Sequence, residues 1–370
     1  MDKRSSSLPT ESKASHPSNK LSAVHDLTKT WFKRLQINHL GHGVAVFCTL
    51  TATISTLTQP ALVQIWEQQT QSLFFALRGT VAPPPEVVIL KLDEYSLSQA
   101  KTVSGDDSSQ SVSQGFKWPL ERTTYAAAID RLMAAGALTV TVDVVLADAS
   151  SYSAADDRRL QETLKRYAGR ITLAGVYEDG DIRQGGMTQF VSPFSAFETN
   201  PGSIGSVNFW QEETGSIAQL GSQYLKLLAQ TEPDMRDIFS QWQKQTPSLA
   251  EATLQAAQRS QPQLKVPVNQ GTHIYFYGAS GTFDQLPFWD VLDDENWNSY
   301  LEKGKYFAGK IVLIGPTAIS LQDFHSTPLG KMTGVELHAN AIATLLEGRA
   351  IRAAFPNPTW QAGVVGLGVL

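Results

Sequence analysis

The sequence predicts an α/β fold: a layered, mostly parallel sheet flanked by helices, forming one extracytoplasmic domain behind a transmembrane helix. Three observations predict it. Apolar, β-branched runs at 87–92, 138–146, 171–176 and 310–314 alternate with amphipathic helical stretches through short connections, which is the pattern of parallel βαβ units. Leu40–Leu57 carries no acidic residue, Lys or Arg over about 18 residues, roughly 27 Å of helix and enough for a hydrocarbon core. Basic residues cluster ahead of that stretch (Lys3, Arg4, Lys13, Lys20, Lys29, Lys33 and Arg34), and none follows until Arg78, which places the first segment inside and the long middle outside.

Taken in order, residues 1–38 are a disordered cytoplasmic tail with a basic flank, and 39–58 is the transmembrane helix, whose threonines can bond back to helix carbonyls. Residues 61–85 are a stalk and linker, with apolar residues at helical spacing before the stiff Pro83-Pro84-Pro85 connector. The domain occupies 86–353. Val87–Leu92 is its first strand, with Asp93 at the carboxyl end, and 101–115 is a surface loop. Trp118-Pro119 opens a helix that runs to about Ala135, and Leu138–Leu146 is a strand with Asp143 as its one charge. Ala154–Tyr167 is an amphipathic helix and Ile171–Val176 a third strand. Gly205–Phe209 and His273–Tyr277 are further strands, and Gln219–Leu228 and Ser248–Ala257 are helices on either side of a glutamine-rich stretch. Lys310–Ile314 is a buried strand stopped by Gly315-Pro316. A polar loop then holds Asp323, His325, Thr327 and Pro328, and Gly334–Glu347 is a covering helix. Residues 357–370 begin a second transmembrane helix that stops short.

Composition bounds the function. The 370 residues carry a net charge of −5 with 42% hydrophobic residues, a globular composition with no basic stripe for nucleic acid. A single cysteine, Cys48, rules out an intramolecular disulfide framework and any CxxC metal knuckle. There is no GxSxG elbow, phosphate loop, HExxH or strand-linked GxGxxG, so no catalytic residue, metal or cofactor is assigned.

What remains is a set of polar groups at strand ends, where the crevice of an open parallel sheet binds ligands. Asp93, Asp143, Asp323, Glu336 and Asn340 are the candidate ligand-binding residues for a small molecule or a hard cation. The competing account is that these carboxylates brace loops through backbone N–H groups or pair with Arg122 and Arg352. Trp118, Pro119, Arg122, Gly315, Thr327, Pro328, Gly334 and His338 are expected to be structural. His338 is expected to be a satisfied core histidine at an apolar helical position. A rival reading makes Asp143 and His338 the acid–base pair of an extracytoplasmic enzyme, and another makes the chain a structural membrane scaffold.

VVILKLDE at 87–94, WPLERT at 118–123, DRLMAAGALTVTVDVVLAD at 130–148, GSVNF at 205–209, KIVLIGPTA at 310–318 and GVELHANAIATLLEG at 334–348 resemble, in order, the type-2 CHASE domain, a cyclase- and histidine-kinase-associated extracellular sensor module. The resemblance extends over roughly residues 80–352. It departs after Asn208, where family members often carry an Asp-Gly-Arg-like turn and this chain has Glu-Glu-Thr-Gly. It implies the sensory input domain of a receptor in the plasma (inner) membrane, facing the periplasm or exterior with a cytoplasmic amino terminus. Expected partners are the membrane, an undefined small-molecule or ionic stimulus, a second copy in a homodimer, and a cytoplasmic output domain in cis, a cyclase or kinase.

Overall fold

The computed structural model describes residues 41–57, 61–103, 118–179, 188–197, 203–352 and 358–369. The chain divides into two compact units, Gln64–Ala354 and a smaller one of Met1–Val63 with Phe355–Leu370.

In the smaller unit, residues 41–57 form helix α1. Its threonines do bond back one turn, with Thr49, Thr51 and Thr56 hydroxyls each donating at 2.8 Å to the carbonyls of Ala45, Phe47 and Ala52. Among the described residues no helix is long and apolar enough to cross a membrane. The carboxy-terminal helix of this unit, Pro358–Val369, buries Ala362 and Gly366, and a Cβ on Gly366 would lie 3.0 Å from Thr53 Oγ1 of α1.

Most of helix α2 (Ala61–Arg78), from Gln64 on, belongs to the larger unit. Strand β1 (Val87–Leu92) leads into α3 (Glu94–Val103) and α4 (Arg122–Ala134), then β2 (Thr139–Val145), α5 (Ala154–Arg166) and β3 (Ile171–Asp179). Short β4 (Thr188–Val191) and β5 (Ile204–Ser206) precede α6 (Tyr224–Thr231), α7 (Arg236–Gln245) and α8 (Leu249–Ser260). The chain closes with β6 (Asp284–Pro287), α9 (Asp294–Asn298), β7 (Ile311–Pro316), the hairpin β8 (Phe324–Thr327) and β9 (Gly330–Thr333), and α10 (Gly334–Leu346); the helix Pro358–Val369 is α11. Six strands lie in the order β4-β3-β2-β7-β1-β6, and β5 also pairs with β3, off this path. Every pairing is parallel except β3 with β4.

Strand alternation divides the core into two layers. Val88, Leu90, Leu92, Val140, Val142, Val312 and Ile314 bury one face against Tyr125, Ile129 and Leu132 of α4 and Leu160 and Leu164 of α5. Val87, Ile89, Ile311 and Leu313 point the other way, onto Leu254 of α8 and Val335, Leu337, Ile342 and Leu345 of α10. Both faces of β1 and β7 are therefore covered, which is why these strands read as continuous apolar runs. Helix α4 begins at Arg122, later than Trp118-Pro119 predicts. Its first amides are capped by a carboxylate from α5: Arg122 N–H donates to Asp156 Oδ2 at 2.8 Å and Thr123 N–H to Asp156 Oδ1 at 2.7 Å.

Two expected elements differ. The polar loop before α10 is the β8–β9 hairpin, with Thr327 and Pro328 at its turn; Thr327 Oγ1 donates to Gly330 O at 2.7 Å and accepts from Leu329 N–H at 3.2 Å. His273–Tyr277 is not a strand. Its main chain bonds partly to side chains of α10, Tyr277 N–H to Asn340 Oδ1 and Tyr275 N–H to Thr344 Oγ1, each at 3.0 Å, and otherwise makes scattered main-chain bonds, such as Ile274 N–H to Ala218 O at 2.8 Å, with isolated bridges from His273 to Gln219 and Ile351. The expected loop at 101–115 lies mostly outside the described residues.

Candidate functional site

At the carboxyl ends of β2, β3 and β7 the sheet opens into a cleft of about 460 Å³. Asp143, Val144 and Val145 of β2, Val176 of β3 and Pro316 of β7 form its floor. Gly334 and His338 enter from the first turns of α10, and Asp323 and His325 from the start of the hairpin. Trp118 and the 207–217 segment, through Val207, Asn208, Phe209, Gln211 and Ile217, complete the walls.

Two glycines set this geometry. A Cβ on Gly315 of β7 would lie 2.6 Å from Val335 Cβ and 3.2 Å from Asp143 Cβ, so the bare backbone lets α10 sit down beside Asp143. Gly334, the first residue of α10, leaves room for the Asp323 carboxylate, which a Cβ there would strike. Asp323 thus stands against the positive end of α10, its carbonyl accepting Gly334 N–H at 3.3 Å and its Oδ1 lying 3.0 Å from His325 Nε2.

The 207–217 segment is anchored at both ends. Asn208 completes the open edge of β3 as a strand would, accepting Tyr177 N–H on Oδ1 at 2.7 Å and donating Nδ2–H to Tyr177 O at 2.8 Å. At the far end Ile217 N–H donates to Ser326 O of β8 at 2.8 Å. The Glu-Glu-Thr-Gly stretch between them is a tight turn, with Gly215 at positive φ donating to Glu212 O at 2.7 Å.

The electrostatics are unusual for so polar a place. His338 is 3% exposed and Asp143 9%. Burial, and then the nearby Asp323 charge, pushes the Asp143 carboxyl well above the usual range, while burial pulls His338 down to about 3 against the opposing pull of Asp323. His338 Nε2 is 3.8 Å from Asp143 Oδ1, beyond hydrogen-bond reach, and its buried Nδ1 has no partner among the described residues. The Phe209 ring lies 4.7 Å from the imidazole. His338 is therefore not the satisfied core histidine its apolar spacing predicts: the side chain is buried but unpartnered, because α10 presents this position to the cleft rather than to the sheet.

Of the five predicted ligand-binding residues, the structure brings Asp143 and Asp323 together and sets the other three elsewhere. Asp93 caps α3, accepting Ser96 N–H on Oδ1 at 2.9 Å, with Lys91 Nζ 3.7 Å from Oδ2. Glu336 and Asn340 do share a face of α10, and it is the one that grips 275–281. Glu336 Oε2 accepts Ser280 Oγ–H at 2.7 Å and Oε1 accepts Gly281 N–H at 2.6 Å; Asn340 holds Tyr277 N–H and donates to Glu336 O at 3.0 Å. Glu336→Ala removes a buried carboxylate that accepts two hydrogen bonds from the exposed Ser280 and Gly281, which water can re-solvate, and should cost about 1–2 kcal/mol of stability, read as a fall in the urea midpoint at unchanged slope. Arg122 lies 3.8 Å from Asp157 Oδ1 and donates to Asp148 O at 3.2 Å, and Arg352 donates to Gln270 Oε1 at 2.9 Å, so neither arginine pairs with a candidate carboxylate.

A family model described as the CHASE2 domain matches residues 45–370. The chain belongs to the CHASE2 domain family. CHASE2 is a family of extracellular sensory domains, and the resemblance read from the six sequence motifs is the same one. No curated protein and no solved structure matches the chain.

Within this CHASE2 domain, sequence reasoning missed Phe209, Asn208 and Gln211 as cleft residues. The GSVNF motif was the available signal, but nothing in it tells that the segment after β5 turns over the sheet. Among the described residues no group of three or more His, Cys, Asp or Glu is arranged to hold a metal ion. No Ser, Thr or Cys among them lines the cleft to act as a nucleophile. The arrangement is one that can enclose and recognise a small molecule.

Proposed function

We propose that this CHASE2 domain is the extracytoplasmic input of a transmembrane receptor, that its stimulus enters the cleft at Asp143 and His338, and that occupancy is relayed to a cytoplasmic cyclase or kinase in cis. The observation that carries this reading is the span of α10. At one end the helix places Gly334 and His338 in the cleft. Further along, Asn340 and Thr344 hold 275–277, part of the 273–277 segment that both ends of the domain contact. From the amino side, Phe75 of α2 packs edge-on against Phe276 at 5.8 Å, and Arg78 stacks on Tyr275 at 4.2 Å while donating to Phe276 O. From the carboxyl side, Ile351 exchanges main-chain hydrogen bonds with His273 at 3.0 and 3.1 Å. A ligand with different affinity for two positions of α10 would bias both chain exits through one segment.

The membrane setting is supported by α1 and α11, which expose Val44, Phe47, Leu50 and Ile54, and Trp360 and Leu367, with no charged residue among them. Dimerisation through these helices fits the homodimer expected of such receptors. Protease added to intact cells should cut within 86–353; cutting only after the cytoplasm is opened overturns the topology. In the full-length receptor, Val176→Trp should fill the cleft and abolish the output response while surface abundance is unchanged. An intact response overturns the cleft as the input site.

The proximity of Asp143 and His338 favours a second reading, acid–base catalysis. A histidine held near 3 is poorly matched to proton transfer at neutral pH, so the sensory reading is the stronger.

A further inference from the structure

We infer that the cleft takes a small organic cation, a protonated amine on an apolar or aromatic body, rather than a phosphate or a carboxylate. The inference rests on the cleft being the input site and names the chemistry of what enters it. Two carboxylates, Asp143 and Asp323, line the cleft, and no Lys or Arg among the described residues lines it with them. An anionic ligand would meet those carboxylates with no fixed positive charge to offset its desolvation. A cation would meet the Asp323 carboxylate, which lies 3.0 Å from His325 Nε2, and the Asp143 carboxyl, which accepts once its proton leaves. The Asp143 carboxylate is nine-tenths buried and has His338 Nε2 at 3.8 Å with no closer hydrogen-bond partner among the described residues. Nδ1 of the neutral His338 is buried and unpartnered, open to accept or donate according to its tautomer. Such groups cost stability unless something satisfies them, and here both belong to one cavity.

The rest of the lining fits the body of such a ligand. Trp118 and Phe209 offer aromatic faces for an ammonium or a ring, and Val145, Val176 and Ile217 line the cavity with apolar surface. A volume of about 460 Å³ lies within the usual range for small-molecule pockets. Because burial favours the protonated Asp143 carboxyl, an arriving ammonium should displace that proton, with the carboxylate becoming the counter-ion. The charged and titratable groups facing Asp143 are Asp323 and His325 from the hairpin side and His338 from α10.

The test uses the full chain in detergent micelles and three probes of one shape: phenethylamine, 2-phenylethanol and 3-phenylpropionate. Calorimetry should show the amine binding at least about tenfold more tightly than the other two, a difference of about 1.4 kcal/mol. Repeating the titration in buffers of different ionisation enthalpy should reveal proton release on binding. Asp143→Asn should weaken the amine about tenfold with its circular dichroism unchanged, and Asp323→Asn should weaken it less. Asp93→Asn, outside the cleft, should have no effect. Equal or tighter binding of the propionate or the alcohol, or no amine binding at millimolar concentration, overturns the cation. If the propionate or alcohol binds and Val176→Trp blocks it, the ligand class falls and the sensory reading stands. If no probe enters and the full-length Val176→Trp receptor still responds, the sensory reading falls as well.

Discussion

Gly315→Val should be the most damaging single substitution near the cleft, costing about 3 kcal/mol or more of folding stability. The position lies in the middle of the sheet, paired with Lys91 of β1, and the α10 side leaves no space: the first added carbon would stand 2.6 Å from Val335 Cβ and 2.7 Å from Val335 Cγ2, both in a buried side chain. Real Cβ contacts do not approach that closely, so either α10 lifts away or β7 bends. Lifting α10 opens the layer formed by Val335, Leu337, Ile342 and Leu345, whose burial holds that helix to the sheet. Bending β7 moves the strand between β1 and β2, where its ladders on both sides must follow. Neither response is local. Urea unfolding monitored by circular dichroism should show the midpoint falling, and Gly315→Ala should fall less, in proportion to the atoms added. A Val variant as stable as the parent would mean that α10 is not seated on Gly315.

That dependence on one missing side chain bears on what the sequence makes legible. The strands β1, β2, β3 and β7 and the helices α4, α5, α8 and α10 are visible because burial on both faces writes long apolar runs, and amphipathic helices follow them at short range. The elements that escape are those whose partners lie far away in the chain. Strand β6 is Asp-Gln-Leu-Pro, an edge strand with little apolar content, and pairs with β1 across almost two hundred residues. Helix α7 sits in the glutamine-rich stretch and buries only Phe239. At the site the same limit recurs. Asp93, Asp143 and Asp323 look alike as acidic residues at strand ends. Asp93 is followed by a helix whose amide it caps, so it is consumed locally, whereas Asp143 and Asp323 are left facing each other by an arrangement of β2, the hairpin and α10 that no local spacing encodes. Sequence identifies the end of the sheet that holds the cleft; tertiary pairing decides which carboxylates line it.

Asp143 and His338 should show themselves in the pH dependence of stability, with opposite signs. Asp143 has a folded-state proton affinity raised by burial, so its contribution is fully present below the unfolded carboxyl value of about 4 and is lost as pH rises through its folded value. His338 is pulled down to about 3, so its contribution is fully present above the unfolded imidazole value of about 6.5 and is lost as pH falls towards 3. Between about pH 4 and 6.5 the two slopes oppose each other and largely cancel in the parent chain. Single substitutions should separate them. Relative to the parent, Asp143→Asn should gain stability as pH rises from 4 to 6.5, by at most about 1.4 kcal/mol per pH unit, the limit for one proton. His338→Gln should lose stability over the same interval, and the double variant should be nearly flat relative to the parent. Differences between variants cancel carboxylates elsewhere in the chain. Denaturant midpoints at half-unit pH steps would measure this directly. Parallel curves for all four proteins would mean that neither side chain is held in the neutral state that the cleft's geometry imposes. The same data carry a functional consequence: a domain that becomes more stable at neutral pH when Asp143 is made an amide is keeping a costly buried carboxyl where an amide would fold better, and that cost is the mark of a side chain retained for what it binds.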